Sequence, residues 1–484
     1  MEQASPIVPA PSLVLRRCND SLKRIETSGG VSIYHHHKRQ KKSTCDVSKN
    51  NKIIMGDDYL LPVDTIYNIL SRMPLKSLAR FQCVSKVWCK YINDPYLEIM
   101  HNAKRATMKD DPTMLIMVQL KIVDVRVKPW HASASLTMLT TKEEESCARN
   151  HEEVVITKKN QPYMEFRSKH WGPRFVLEDI ILGSCKGLMI SSQDPHNNNN
   201  NDGTTVLLVI NPLRKECYKL PPIKIWSCTS VSYEREACGL GFDDSTNTYK
   251  MVCVVLRNQK KIRSHDDDDD DDVVKEDLCT MVHVLGGTDD SSSSSWREIP
   301  QVPPYPISGE GVFANGCLHW LVSYNLKYWP FGVVRKIICF DMNKEEFGLI
   351  DPPNKHNYMG GRGEHLVDLD GQVGFVYNGV TFHQRYIEVW LLNPKTKCWV
   401  IHCRFDKKPP LPLNSYIKVI GYWNKDAGDL LITGGCPTQL FIYRLKHGVL
   451  HEANFIYHND ARKVDFRLYQ TTFSSTLRRG SIKN

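Results

Sequence analysis

Apolar and polar residues follow two different rhythms along this chain. Between Leu61 and Leu97, apolar residues recur at the three- and four-residue spacing of one helical face, as at Ile66, Ile69, Leu70 and Met73. Pro62 fits the first turn of this helix, where a missing N–H costs nothing. Pro74 separates it from the next helix, because the residue before a proline disfavours the α region. Ser85 is a suitable N-cap for a further helix. We therefore predict three short helices.

From about Met114 to Asp460 the pattern changes to short apolar runs bounded by Gly, Pro, Asn and Asp, which is typical of strands. The clearest runs are Thr113–Val127, Val154–Ile156, Leu188–Ser191, Val206–Ile210, Lys250–Leu256, Ile337–Phe340, Ile387–Leu392, Leu430–Ile432 and Leu440–Leu445. Few stretches longer than ten residues have helical spacing. The chain is therefore predicted to be α+β and multidomain, with a small helical domain followed by a mainly-β domain.

The strand region also repeats. Tight-turn signals occur at Cys185–Leu188, Asp243–Thr246, Ala314–Cys317, Leu369–Gly371 and Lys425–Gly428. The steps between them are 57, 71, 55 and 57 residues, and the long step contains an Asp-rich insertion. A period of about 50 residues with four strands each is the pattern of propeller blades. We predict a β-propeller with five visible blades and a further one within residues 100–180; a β-sandwich is the alternative.

The predicted helices are too small to form a stable domain alone. Domains of this size usually need a partner, a metal or a disulfide, and Cys83 and Cys89 lack the spacing of metal ligands. Full burial of one Leu, Ile or Val is worth roughly 1.5–3 kcal/mol. A partner protein that covers several of these side chains would therefore form a firm complex.

The helical stretch also resembles the F-box. The matching residues, in order, are Leu61-Pro62, Asp64, Ile69-Leu70, Met73-Pro74, Lys76-Ser77-Leu78, Arg80-Phe81, Cys83-Val84-Ser85-Lys86, Trp88 and Asp94-Pro95. The resemblance implies docking to a Skp-type adaptor, and through it to a cullin and a RING protein in a ubiquitin ligase. The residues that it assigns to adaptor binding are Leu61, Pro62, Ile69, Leu70, Pro74, Leu78, Val84 and Trp88.

The strand region, over about residues 115–460, resembles the F-box-associated domain of plant-type F-box proteins. The matching segments are Ser184–Leu188, Asn211-Pro212 with Leu220-Pro221, Gly241–Asp243 and Tyr249–Val252. Kelch-type propellers would give a similar pattern. The resemblance implies a module that recruits a target protein, and it does not say which target or which loops bind it.

The composition of the chain predicts the limits of its domains and its cellular compartment. The net charge is +9, of which +6 lies in residues 1–56, with ten Lys or Arg against four Asp or Glu. We expect a disordered basic tail at 1–56, the F-box domain at 57–100, the propeller-like domain at 101–465 and a C-terminal tail at 466–484. The sixteen scattered cysteines fit reduced thiols inside a cell. No membrane span or secretory signal is predicted, so we expect a nuclear or cytoplasmic protein.

Motifs for catalysis or for metal binding are not evident. There is no Cys-x-x-Cys, His-Glu-x-x-His or P-loop, and Cys398, His402 and Cys403 lack a second ligand pair. We therefore predict a non-enzymatic adaptor without cofactor or metal. A kelch-like copper oxidase with an incidental F-box is the alternative, and it requires paired Tyr and His donors near the propeller axis. Nucleic-acid binding would have to come from the basic cluster His35–Lys42, since the rest of the chain is nearly balanced in charge.

Overall fold

The chain divides into a helical part within Arg16–Lys109 and a strand part within Asp110–Asn484. The computed structural model describes residues 61–82, 84–94, 96–97, 100–101, 114–124, 131–144, 153–158, 164–168, 181–192, 204–205, 207–212, 216–224, 237–262, 273–285, 295–322, 335–353, 364–380, 384–412, 416–435, 439–455 and 463–469. The predicted tail 1–56, the Asn197–Asn201 and Asp266–Asp272 tracts and most of the C-terminal tail lie outside these residues.

The helical part contains α1 (Val63–Leu70), α2 (Leu75–Phe81) and α3 (Lys86–Ile92). Pro62 and Pro74 are the N-caps of α1 and α2, so the prediction that Pro62 lies in the first helical turn is wrong by one residue. The N-cap predicted at Ser85 is confirmed, because its hydroxyl accepts a hydrogen bond from the Trp88 backbone N–H (3.1 Å). The described core of this part consists of Ile66, Tyr67, Leu70, Leu78, Ile92 and Leu97.

The strand part is almost entirely antiparallel. Its strands are β1 (Met114–Asp124), β2 (His131–Glu144), β3 (Glu153–Lys158), β4 (Met164–Ser168), β5 (Ile181–Cys185), β6 (Leu188–Ser192), β7 (Thr204–Thr205), β8 (Leu207–Asn211), β9 (Glu216–Lys219), β10 (Ile223–Lys224), β11 (Ala237–Asp243), β12 (Thr248–Ile262), β13 (Val273–Leu285), β14 (Arg297–Ile299), β15 (Ile307–Ala314), β16 (Cys317–Val322), β17 (Ile337–Asp341), β18 (Glu346–Ile350), β19 (Glu364–Leu369), β20 (Gln372–Val380), β21 (Arg385–Leu392), β22 (Trp399–Asp406), β23 (Ile417–Asn424), β24 (Asp429–Gly434), β25 (Gln439–Arg444), β26 (Val449–Glu452), β27 (Asn454–Phe455) and β28 (Lys463–Tyr469).

Six groups of four strands lie within the described residues: β5-β6-β8-β9, β11 to β14, β15 to β18, β19 to β22, β23 to β26, and β28-β1-β2-β3. The second and third groups are joined through β11 and β15 into one eight-stranded sheet, and the sixth belongs to a six-stranded sheet that also contains β4 and β27. The first strand of each group, the inner strand, contacts the inner strand of the next group in the order β5, β11, β15, β19, β23 and β28. A hydrogen bond from Arg467 in β28 to the Ile181 carbonyl in β5 (3.3 Å) completes the circle. Four-stranded sheets repeated around a centre are the arrangement of a propeller.

The repeated turns lie where the sequence predicts them, between the inner strand and the second strand of a group. The two-residue turns Lys186-Gly187, Asn315-Gly316 and Asp370-Gly371 have positive φ at both positions, as type I′ hairpin turns require. Asn and Gly tolerate this backbone region better than other residues do. The turn signals therefore fix where each group begins.

The ring closes with a strand from each end of the strand part. β28 pairs antiparallel with β1, from Met114↔Tyr469 to Leu120↔Lys463. The predicted domain limit at residue 465 therefore cuts through the strand that completes the sixth group. Val464, Phe466 and Leu468 alternate with Asp465 and Arg467, which is the strand signal that could have extended the domain to Tyr469.

Candidate functional site

Large apolar side chains are exposed in the helical part. They are Leu61, Ile69, Val84, Val87 and Tyr96, and their exposed fractions lie between 40% and 66%. Single exposed apolar residues are ordinary, whereas five in one short segment make this segment the candidate site for a partner protein. We refer to these five residues as the exposed apolar set.

The residues that the F-box resemblance assigns to adaptor binding divide by their burial into two groups. Leu61, Pro62, Ile69, Pro74 and Val84 are exposed, and Trp88 is partly buried with its ring 5.8 Å from that of Phe81. Leu70 and Leu78 are fully buried within the helical part itself. Substituting either leucine would therefore disturb the core of the helical part, whereas substituting Ile69 or Val84 changes its surface.

Tyr67 in α1 contacts α3 and the residues that follow it. Its hydroxyl donates a hydrogen bond to Asp94 Oδ2 (2.5 Å), and its ring meets those of Tyr91 and Tyr96 edge-on. Burial, followed by the hydrogen bond and the negative charge of Asp94, raises the pKa of Tyr67 well above its usual range. The tyrosine therefore stays neutral and ties α1 to the segment that follows α3.

A cluster of charged side chains lies among the inner strands of the ring. Arg467 in β28 donates from Nε to Asp465 Oδ2 (2.9 Å), and its Nη1 bonds Glu310 in β15. Lys418 in β23 lies 3.7 Å from the same Glu310 carboxylate. Burial lowers the pKa of Arg467, but the two acids outweigh it and raise the pKa above its usual range. We call Arg467, Glu310, Asp465 and Lys418 the inner ion cluster.

A bulge in β15 brings Glu310 to this position. The pairing of β15 with β16 is interrupted between Ser308 and Val312, and Glu310 instead bridges Cys238 of β11 in parallel. Gly309 has a φ of +83°, which glycine adopts without strain. The sequence Gly309-Glu310-Gly311 signals a bulge, but it does not show that the glutamate meets an arginine far along the chain.

A Tyr–His pair does occur near the inner strands, as the copper-oxidase alternative requires. The Tyr416 hydroxyl lies 2.7 Å from His365 Nδ1, and the Val419 backbone N–H donates to His365 Nε2 (3.0 Å). Burial, with a smaller effect of Lys418, lowers the pKa of His365 to about 3, so the ring is neutral. Because both ring nitrogens have protein partners, His365 has none left for a metal.

The other candidate ligands are dispersed. Cys398 is exposed, whereas burial raises the pKa of Cys403 to about 12. The rings of His402 and Tyr422 meet edge-on. Within the described ranges, no three His, Cys, Asp or Glu side chains gather as a metal site. Trp320 is fully buried, and Trp296, Trp390 and Trp399 pack against buried clusters, so these rings belong to the core.

Glu364 at the start of β19 makes stability depend on pH. Burial raises the pKa of its carboxyl to about 7, against a smaller opposing effect of Arg335, and no donor in the described residues reaches its Oε2. The folded state therefore disfavours the carboxylate, and the free energy of unfolding falls as pH rises from about 4.5 to 7. We expect Glu364→Gln to stabilise the protein by about 1–3 kcal/mol at pH 8 and to have little effect at pH 4. Urea denaturation at both pH values measures this, and equal effects at the two values would contradict it.

Comparison with known protein families assigns both parts of the chain. Residues 59–100 match the F-box domain, and residues 136–454 match the F-box associated beta propeller domain. The second match alone spans more than half of the chain. The chain is a plant-type F-box protein with a C-terminal F-box-associated domain. The resemblance found in the sequence is thereby confirmed.

The relatives of this F-box protein include a putative F-box protein of Arabidopsis thaliana, 26% identical over 65% of this chain and 60% of that relative, so less than two thirds of its length. F-box protein CPR1 of Arabidopsis thaliana is 23% identical over 77% of this chain and 79% of CPR1. Among solved structures, the beta-propeller domain of the Trilobed protease from Pyrococcus furiosus has a TM-score of 0.31 at 11% identity, covering 74% of this chain and 98% of that chain. No helix in the described part of the chain is long and apolar enough to cross a membrane.

Proposed function

We propose that this F-box protein is the substrate-recruiting subunit of an SCF-type E3 ubiquitin ligase. Its F-box binds a Skp-type adaptor, which links it to a cullin and a RING protein, and its ring of strands binds a target protein. The observation that carries this proposal is the exposed apolar set, which lies within the segment that matches the F-box.

The exposed apolar set supplies the energy for adaptor binding. Val84 is 66% exposed and Ile69 is 47% exposed in the free chain, so an adaptor that covers them removes apolar surface from water. Each such side chain contributes up to roughly 1.5–3 kcal/mol when it passes from full exposure to full burial. Ordering and desolvation of the interface offset part of this energy. Leu70 and Leu78 act indirectly, because they hold the helices that present the surface.

The proposed role of this chain in ubiquitin transfer is proximity and not chemistry. Holding a target in the same complex as the conjugating enzyme raises the effective concentration of the target's lysines near the reactive thioester. The conjugation machinery supplies the chemistry, so the proposal assigns no catalytic residue to this chain. The target binds through the ring, and loops that connect strands are the usual place for such contacts.

The experiment compares two exposed valines. Val84→Glu places a charge where the adaptor would bury an apolar group, and we expect the dissociation constant for a plant Skp-type adaptor to rise at least tenfold. Val449→Glu makes the same change at a 44% exposed position in the ring and serves as the matched control, with an expected change below twofold. Biolayer interferometry with the full chain measures both variants, and circular dichroism checks their folding. Equal binding by both variants would contradict the assignment of Val84.

A further inference from the structure

Two thiols meet across the β11–β12 hairpin. Cys238 lies directly opposite Cys253 in the antiparallel register, and their Sγ atoms are 3.1 Å apart. Both side chains belong to one buried core cluster, with exposed fractions of 1% and 0%, and both thiols are free. Strand pairing and packing therefore hold the two sulfur atoms together without a covalent bond between them.

The strand pairing already meets the backbone requirement of a disulfide. Directly opposite residues of antiparallel strands have Cα atoms about 4.5–5.5 Å apart, and a disulfide spans about 4.4–6.8 Å between Cα atoms. An S–S bond is about 2.05 Å long, so the two Sγ atoms have to approach by roughly 1 Å. The bond between Cys238 and Cys253 can therefore form without a change in the register of the strands.

A second pair of cysteines on neighbouring strands has a different geometry. Cys339 lies opposite His319, and Cys317 lies opposite Asp341, so the two cysteines are diagonal neighbours. Diagonal positions are about 7–8 Å apart, and cysteines whose Cα atoms are more than about 7 Å apart cannot be bridged without backbone movement. Both of these cysteines are partly exposed. They therefore separate the effect of pairing geometry from the effect of exposure.

We propose that Cys238 and Cys253 are a redox-sensitive pair that forms a reversible cross-strand disulfide under oxidising conditions. Disulfides in the cytosol, where they occur, are usually transient and redox-sensing. This bond closes a loop of about 15 residues and so constrains the unfolded chain. Oxidation therefore raises the stability of the ring. The inference does not depend on the proposed function, because it concerns the core of the ring and not the F-box.

Hydrogen peroxide is the oxidant that the reaction requires. The sulfur of one cysteine attacks a peroxide oxygen, the O–O bond breaks, and the products are a sulfenic acid and one water. The sulfur of the other cysteine then attacks the sulfenic sulfur, and the S–S bond forms as the hydroxyl group leaves with the second thiol proton as water. The two thiols lose two protons and two electrons in all, and the peroxide is reduced to two waters.

Burial determines the rate and the product of this oxidation. Peroxide reaches the two thiols only when the β11–β12 pairing opens locally, so their oxidation is slower than that of the exposed Cys398. Burial also keeps bulky thiols such as glutathione away from the sulfenic acid, whereas the partner sulfur is 3.1 Å away in the closed hairpin. The internal disulfide is therefore the expected product.

Peptide mapping of the full chain tests the pair directly. Trypsin places Cys238 in residues 236–250 and Cys253 in residues 251–257, and neither peptide contains another cysteine. After treatment with hydrogen peroxide and alkylation of the remaining thiols, we expect mass spectrometry to find the two peptides joined. Dithiothreitol should separate them. Absence of the joined peptides after Cys398 has been fully converted to its sulfonic acid would overturn the proposal.

The same digest contains the control for pairing geometry. Cys317 and Cys339 also fall on separate tryptic peptides, within residues 298–327 and 337–344. We expect their joined product at a yield at least tenfold lower than that of the Cys238–Cys253 product. Equal yields would overturn the proposal, since directly opposite pairing would then have no effect on which disulfide forms.

Thermal unfolding tests whether the bond stabilises the ring. We expect oxidation to raise the unfolding midpoint of the full chain by about 3–6 °C, and dithiothreitol to reverse the rise. Cys253→Ala cannot form the bond and should lose the rise, whereas Cys398→Ala removes an exposed thiol and should keep it. An equal rise in both variants would overturn the proposal. Peptide mapping needs no substitution, so it decides the question even if Cys253→Ala does not fold.

Discussion

Replacing Arg467 by leucine will lower the free energy of unfolding of the ring by about 3–5 kcal/mol, the usual cost of removing one partner from a buried ion pair. Arg467 is buried and joins three elements, through Asp465 on its own strand, Glu310 on β15 and the Ile181 carbonyl on β5. Leucine fills part of the space but leaves Asp465 without its cation and Glu310 with only the more distant Lys418. Chemical denaturation followed by tryptophan fluorescence measures the loss.

Lys418→Met is the matched control for the Arg467 variant. Lys418 lies at the edge of the same cluster, 3.7 Å from Glu310, and its side chain is 23% exposed. Solvent screens this charge more than that of Arg467, so we expect a loss of at most about 1 kcal/mol. If the two variants unfold at the same denaturant concentration, Arg467 does not hold the inner strands together.

We expect Trp320→Ala to have the second large effect, lowering the free energy of unfolding by about 3–5 kcal/mol. Trp320 in β16 has no exposed surface, and its Nε1–H donates to the Cys238 carbonyl (3.3 Å). Gly239 and Gly311 leave room for the ring, because a Cβ on either would lie within 2.8 Å of an indole atom. Alanine leaves a cavity between two inner strands that these glycines cannot fill.

Trp320→Phe keeps most of the volume and removes the N–H donor together with part of the indole ring. We therefore expect it to lose clearly less stability than Trp320→Ala, when the thermal unfolding midpoints of both variants are compared with that of the unaltered chain. Equal losses from the two substitutions would mean that the hydrogen bond to Cys238, and not packing, determines the effect.

Local features of this fold could be predicted because few neighbouring residues determine them. The Asn315-Gly316 turn follows from two residues that tolerate positive φ, and the Ser85 cap follows from one hydroxyl three residues before its donor. The predicted run Lys250–Leu256 lies within β12. The period of about 50 residues predicts a β-propeller for the same reason, because each repeat carries its own turn and strand signals.

Features that depend on distant residues could not be predicted. Arg467 and Glu310 are far apart in sequence, and nothing near either residue indicates the other. The full length of β12 was also missed, because its outer half is polar and ends in an Asp-rich insertion that favours a loop. In the helical part, spacing placed Ile69 and Leu70 together on one apolar face, but only Leu70 is buried. Which apolar residues remain exposed depends on how the helices pack, and a single sequence does not contain that directly.

Closure of the ring by β28 has a consequence for synthesis of the protein. Its partner β1 is translated before the other described strands, and one of its edges stays unpaired until β28 has been translated. Glu310 likewise lacks its hydrogen bond from Arg467 until β28 has been translated. A stop codon shortly before Lys463 would therefore leave the ring open although nearly all of the domain has been made, and we expect cells to degrade the product.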